Sequence, residues 1–104
     1  MIFNGGKERV RIYIIHSPSN TENYIDNVLA TEQKIIKGGD HVVNPLPDQI
    51  KVISNKDLHN MYASKMETCD AVYAMEGWDK TDQGNAAMAE AMLLRKIIMF
   101  EQRV

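Results

Sequence analysis

A single cysteine, Cys69, among 104 residues leaves no partner for an internal disulfide. The 3 histidines stand far apart and no second thiol accompanies them, so the ligand spacing of a zinc site is missing. With 12 Lys and Arg against 14 Asp and Glu, the net charge is -2 and the basic residues are scattered. That excludes the positive field a nucleic acid polymer requires. No apolar run approaches the roughly 20 residues needed to cross a bilayer. The opening MIFNGGKERV lacks the apolar centre of a secretory signal, so a cytoplasmic protein with no membrane partner is expected. Low-complexity segments and internal repeats are missing too, and no motif asks for a cofactor, so none is expected.

What is present is enough apolar material for one core. With 44% hydrophobic and 25% charged residues, the chain reads as one globular domain over 1–104. In RVRIYII (9–15), Val10, Ile12 and Ile14 fall on one face and Tyr13 and Ile15 on the other, which predicts a buried strand. Ser19 and Glu22 have capping-box spacing before a helix carrying Ile25, Val28, Leu29, Ile35 and Ile36, which Gly38 and Gly39 stop. HVVNP (41–45) is a short strand ended by Pro45. Asn55 is placed to cap a second helix with a stripe of Leu58, Met61, Tyr62, Lys65, Met66 and Cys69. DAVYAM (70–75) is a third strand, a third helix runs from Gln83 or Gly84 to Leu94, and KIIMFE (96–101) is a fourth strand.

Strand and helix alternate throughout. Such a chain folds as a doubly wound, flavodoxin-like or Rossmann-like α/β parallel sheet of four strands, with room for a fifth. The expected strand order is 2-1-3-4, with helices on both faces. In this architecture ligands bind beyond the carboxyl ends of the strands, where the strand order reverses. Here that means HSPSN (16–20) after the first strand and EGWDKTDQGN (76–85) after the third, with Asn44 alongside. Both loops lead into helix N-termini, whose unpaired amides favour an anion. A small anionic ligand is the expected guest.

Four segments in this order, YIIHSP, HVVNP, CDAVYAMEGW and KT..GNAAMAEAM, resemble the nucleoside 2-deoxyribosyltransferase-like superfamily. The nearest branch is a group of short, often phage-encoded proteins with a CDAVY…GW signature. The likeness spans Arg9 to Phe100. It implies a hydrolase or transferase acting on the N-glycosidic bond of a deoxynucleoside or nucleoside 5′-monophosphate. It also implies a glutamate nucleophile on the helix after the third strand, through chemistry like that of retaining glycosidases. Alignment without gaps places that nucleophile at Ala87, and a methyl group cannot attack. Glu90 is no substitute: it is turned by about 60° and stands ~4.5 Å further from the loops. Thr81, six positions before Ala87, falls where the hydrolase branch carries a phosphate-binding hydroxyl. Two explanations of Ala87 stay open: an engineered Glu→Ala change that traps a ligand, or a natural site that binds without cleaving.

The resemblance further implies that Tyr13 presents its hydroxyl toward the nucleophile position. A supporting aspartate is implied eight residues upstream of Asp70, but that slot holds Tyr62, with Asp57 and His59 nearby. Asp57 is therefore the candidate for proton handling. The candidate substrate-binding residues are His16, Ser17 and Pro18 in the first loop, Asn44, and Gly77, Trp78, Asp79, Thr81, Gly84, Asn85 and Met88 in the third loop and its helix. Plainer roles stand beside these. Trp78 can stack on a base or simply cover the sheet edge; Asp70 can act as a turn partner; Ser17 and Asn23 carry ordinary turn and cap chemistry. Met61, Met66, Met88 and Met92 fall on helical stripes and serve the core or a subunit interface. Cys69 fills space.

Three functions compete: an N-glycosidase or deoxyribosyltransferase disabled at position 87, a non-catalytic nucleotide-binding module, and a structural oligomer with no pocket at the ends of the first and third strands. The resemblance implies a homodimer or larger homo-oligomer.

Overall fold

The computed structural model describes residues 9–17, 23–44 and 54–101. Four parallel strands form one sheet: β1 (Arg11–Ile15), β2 (His41–Val42), β3 (Ala71–Ala74) and β4 (Ile97–Phe100), in the order β2-β1-β3-β4. Three helices connect them: α1 (Tyr24–Lys37), α2 (Asn55–Met66) and α3 (Asp82–Leu93). A single 3-10 turn, Trp78–Lys80, stands before α3. The expected order is what the chain adopts, and β1 and β3 are the central pair at which the direction of winding reverses. Register runs Ile12 beside Ala71 through Ile15 beside Ala74, then Ala71 beside Ile97 through Ala74 beside Phe100.

Alternation along β1 divides the interior. Tyr13 and Ile15 point into one cluster with Val72, Ala74 and the inner faces of α2 and α3. Ile12 and Ile14 point into a second with Val28, Ile35, Val42 and Met75 under α1. Among the described residues helices thus cover both faces, α1 on one side and α2 with α3 on the other, as right-handed crossovers in opposite directions require. Each fully buried aliphatic side chain contributes roughly 1.5–3 kcal/mol.

Several boundaries and faces differ from the sequence reading. The first strand starts at Arg11, and Val10 is exposed. In α1 the buried stripe is Val28, Thr31, Glu32 and Ile35, while Ile25, Leu29 and Ile36 face solvent. A helix meets a sheet along one narrow stripe, so apolar residues flanking that stripe are left outside. Ser19 and Glu22 lie outside the described residues, and the cap position Asn23 makes no side-chain cap bond. Ser54, not Asn55, caps α2, its Oγ accepting from the Asp57 amide. The left-handed stop of α1 falls on Gly39, with φ +94°. The third helix begins at Asp82, with Thr81 as its cap.

Short β2 is extended by a side chain. Buried Asn44 accepts from the Ile14 amide through Oδ1 (2.8 Å) and donates to the Ile14 carbonyl through Nδ2 (2.9 Å). One side-chain amide therefore replaces a backbone peptide in the ladder after Val42. At the other end of β1, Asp70 Oδ2 accepts from the Arg11 amide at 2.9 Å, which ties the starts of β1 and β3 together far from the strand exits. Cys69 is buried in the α2–α3 cluster, where burial pushes its thiol above the ordinary range against the opposing pull of Lys96. No helix among the described residues is long and apolar enough to cross a membrane.

Candidate functional site at the ends of β1 and β3

Where β1 ends, Ser17 turns its hydroxyl across to the β3 exit and donates to the Trp78 carbonyl at 2.5 Å. Thr81 Oγ1 donates to Ser17 Oγ (2.8 Å) and accepts from the Gly84 amide (3.2 Å). Two hydroxyls and two backbone groups thus form one chain from strand exit to helix start. Gly84 is the residue that permits it. An added Cβ there would stand 2.6 Å from Ser17 Oγ and collide with the Trp78 carbonyl, so no other side chain fits. Asn85 closes the turn, its Nδ2 donating to the carbonyls of Asp79 (3.0 Å) and Thr81 (2.9 Å). Gly77 enters the turn with φ +81°, the left-handed conformation glycine adopts without strain.

The first turn of α3 follows directly. The amide of Gly84 is taken by Thr81 Oγ1 and that of Asn85 by the Thr81 carbonyl. The amides of Asp82 and Gln83 remain the forward-pointing donors of a helix N-terminus. Ser17 and Thr81 carry rotatable O–H groups within 2.8 Å of each other, able to turn toward a ligand oxygen. Exposed Asp79 and Asp82 oppose an anion here, and exposed Lys80 in the same turn offsets one of them.

Behind this cluster the expected catalytic positions converge on apolar chemistry. Ala87 is 2% exposed and shares one core cluster with Tyr13, Tyr62, Leu58 and Met88. The ring of Tyr62 meets that of Tyr13 edge-on, with centroids 6.3 Å apart. The slot where an aspartate is implied is thus filled by an aromatic ring packed on Tyr13. Asp57 sits in the first turn of α2, exposed. Glu90 is engaged by His59 of α2, whose Nδ1 donates to Oε2 at 2.8 Å.

The remaining candidates are distributed as follows. His16 is half-buried and shares a 2.5 Å hydrogen bond between its Nδ1 and the Tyr24 hydroxyl, which ties the β1 exit to α1. Trp78 is partly buried against the α2–α3 cluster, Met88 lies inside it, and Pro18 is outside the described residues. Asn44 stands at the end of β2 with both ends of its amide engaged by Ile14. Ser17, Trp78, Asp79, Thr81, Gly84 and Asn85 are therefore the candidates brought into direct contact at the strand exits. A cavity of about 340 Å³ opens elsewhere, on the α1 face, and none of these residues lines it. Among the described residues no three His, Cys, Asp or Glu side chains converge as metal ligands.

Comparisons with protein-family models, with curated proteins and with solved structures each give no match to this chain.

Proposed function

We infer that this chain binds a nucleoside 5′-monophosphate, or a deoxynucleoside, at the carboxyl ends of β1 and β3, and that it does not cleave the N-glycosidic bond. The observation carrying this reading is the hydroxyl chain from Thr81 through Ser17 to the Trp78 carbonyl, locked onto the start of α3 by Gly84. It supports anion binding because two O–H rotors and first-turn amides are held together before any ligand arrives. Partly buried Trp78 supplies an aromatic surface at the same strand exit.

On this reading the protein keeps the ligand cradle of an N-glycosidic hydrolase or deoxyribosyltransferase and lacks its nucleophile. Ala87 and Tyr62, at the two positions where carboxylates are implied, pack in one apolar cluster with Tyr13. Natural degeneration accounts for both positions together, whereas a single engineered change accounts for Ala87 alone. The ligand is a small molecule rather than a nucleic acid polymer or a membrane. Self-association belongs to the same reading, supported by the exposed apolar side chains of Met92, Leu93, Ile97 and Phe100 around β4 and the end of α3.

The test is a panel of nucleosides and 5′-monophosphates scored by thermal stability and by mass spectrometry for free base. Binding at a hundredfold excess over Kd stabilises by ~2.7 kcal/mol. The expected result is stabilisation by a nucleotide with no base released. Equal melting with every member of the panel removes the binding reading, and released base removes the non-catalytic one. Sedimentation should find a dimer or larger species; a monomer at every concentration contradicts self-association.

A further inference from the structure

The α1-face cavity is lined by groups of both charge signs. Asn27, Thr31 and Lys34 follow one another on a single face of α1 and form one wall. Glu76 and Glu101, at the exits of β3 and β4, form a second wall, and Tyr73 and Met75 also line the cavity. The acidic wall is held in place: Glu101 Oε1 accepts from the Glu76 amide at 2.7 Å, which fixes the carboxylate while its second oxygen keeps acceptor capacity. Thr31 is buried and donates to the Asn27 carbonyl at 2.9 Å, so the helix wall is ordered as well. Lys34 Nζ stands 5.8 Å from the Tyr73 ring centroid, placing a cation over an aromatic face inside the cavity.

We propose that this cavity is a second ligand site, taking a small zwitterion of the free α-amino acid class. The ligand ammonium meets the Glu101 carboxylate, the ligand carboxylate meets Lys34 and the Asn27 amide, and the ligand side chain rests on Tyr73 and Met75. A volume of about 340 Å³ accommodates a molecule of that size. A simple cation leaves Lys34 unmatched and a simple anion leaves Glu101 unmatched; a molecule with both charges satisfies the two walls together. The cavity is lined by none of the Ser17–Thr81 cluster residues and stands independently of the nucleotide reading.

Methionine methyl groups report on the two faces separately. Met75 lines the cavity, whereas Met88 is buried in the α2–α3 cluster. With ¹³C-methyl methionine labelling, each of the free amino acids is titrated to about 10 mM, a range suited to weak sites. The expected result is a saturable shift of Met75 with at least one amino acid, Met88 unmoved. Ethylamine and acetate, each carrying one of the two charges, should bind about tenfold more weakly. Lys34→Met and Glu101→Gln should each weaken the amino acid about tenfold while leaving the Met88 resonance in place; the glutamine retains an oxygen for the Glu76 amide. Met75 unmoved by every amino acid overturns the proposal, and so does equal binding of ethylamine or acetate alone.

Discussion

Gly84 lies so close to the carbonyl of Trp78 that no methyl group fits between them. The backbone of α3 is thereby pressed onto the turn leaving β3, and the Ser17 hydroxyl seals the same contact at 2.5 Å. Gly84→Ala is expected to destabilise the fold by about 3 kcal/mol, because the obstacle is backbone and cannot rotate away. Urea unfolding measures this. A loss under about 0.5 kcal/mol, the range of an ordinary surface change, contradicts the close approach.

Ala87→Glu tests whether the nucleophile position is open. A carboxylate placed among Tyr13, Leu58 and Tyr62 is desolvated, so the substitution should cost about 3 kcal/mol or more at pH 7. Burial raises the folded-state pKa of such a glutamate, so the cost should shrink as pH falls toward the unfolded value near ~4.3. Urea unfolding at both pH values gives the answer. A variant as stable as the parent, releasing free base from a nucleotide, restores the catalytic alternative.

Arg95 ends α3 in the left-handed region, with φ 56°, while its amide bonds to the Met92 carbonyl and the Lys96 amide to that of Ala91. A side chain pays a steric cost there that glycine does not. Arg95→Gly is therefore expected to stabilise the protein by about 1 kcal/mol, read as a raised urea midpoint at unchanged slope. Destabilisation contradicts the assigned helix stop.

Burial raises the Cys69 thiol above 9.0. The fold favours the neutral thiol, so its contribution is complete below the unfolded value and is lost as pH rises past it toward the folded one. As pH rises past the ordinary thiol range, stability should fall more steeply in the parent than in Cys69→Ala. Parallel stability curves for the two proteins contradict the assignment. Thiol reagents should also react slowly with the native protein at pH 8 and rapidly after unfolding, since the thiolate is the reactive form.

Element order and sheet topology were legible in the sequence because alternation in RVRIYII and the helical spacing around Leu58 and Met66 are local patterns with one sensible packing. The Gly38–Gly39 stop was readable for the same reason, whereas Thr81 as the cap of α3 was not, since the spacing placed the helix start at Gln83 or Gly84. Ser54 rather than Asn55 as the cap was not, since two adjacent residues can both cap and the backbone entering the helix decides between them. Ile25, Leu29 and Ile36 have the helical period yet face solvent, because spacing marks the helix and not which of its apolar residues meets the sheet. At the site, Ser17 and Thr81 were visible as loop hydroxyls, whereas their shared acceptor is a backbone carbonyl that leaves no mark in a side-chain pattern. Lys34, Tyr73 and Glu101 were invisible as a group: each belongs to a different stretch of sequence, and only the packing of α1 on the sheet brings them to one cavity.

The central claim, nucleotide capture at the β1 and β3 exits, is tested most directly by following backbone amide resonances while a nucleoside 5′-monophosphate is added. Saturable shifts concentrated at Ser17, Trp78, Thr81, Asp82 and Gln83, and weakened in Thr81→Val, are the predicted result. Shifts absent from those five residues, or unchanged in the Thr81→Val variant, contradict it.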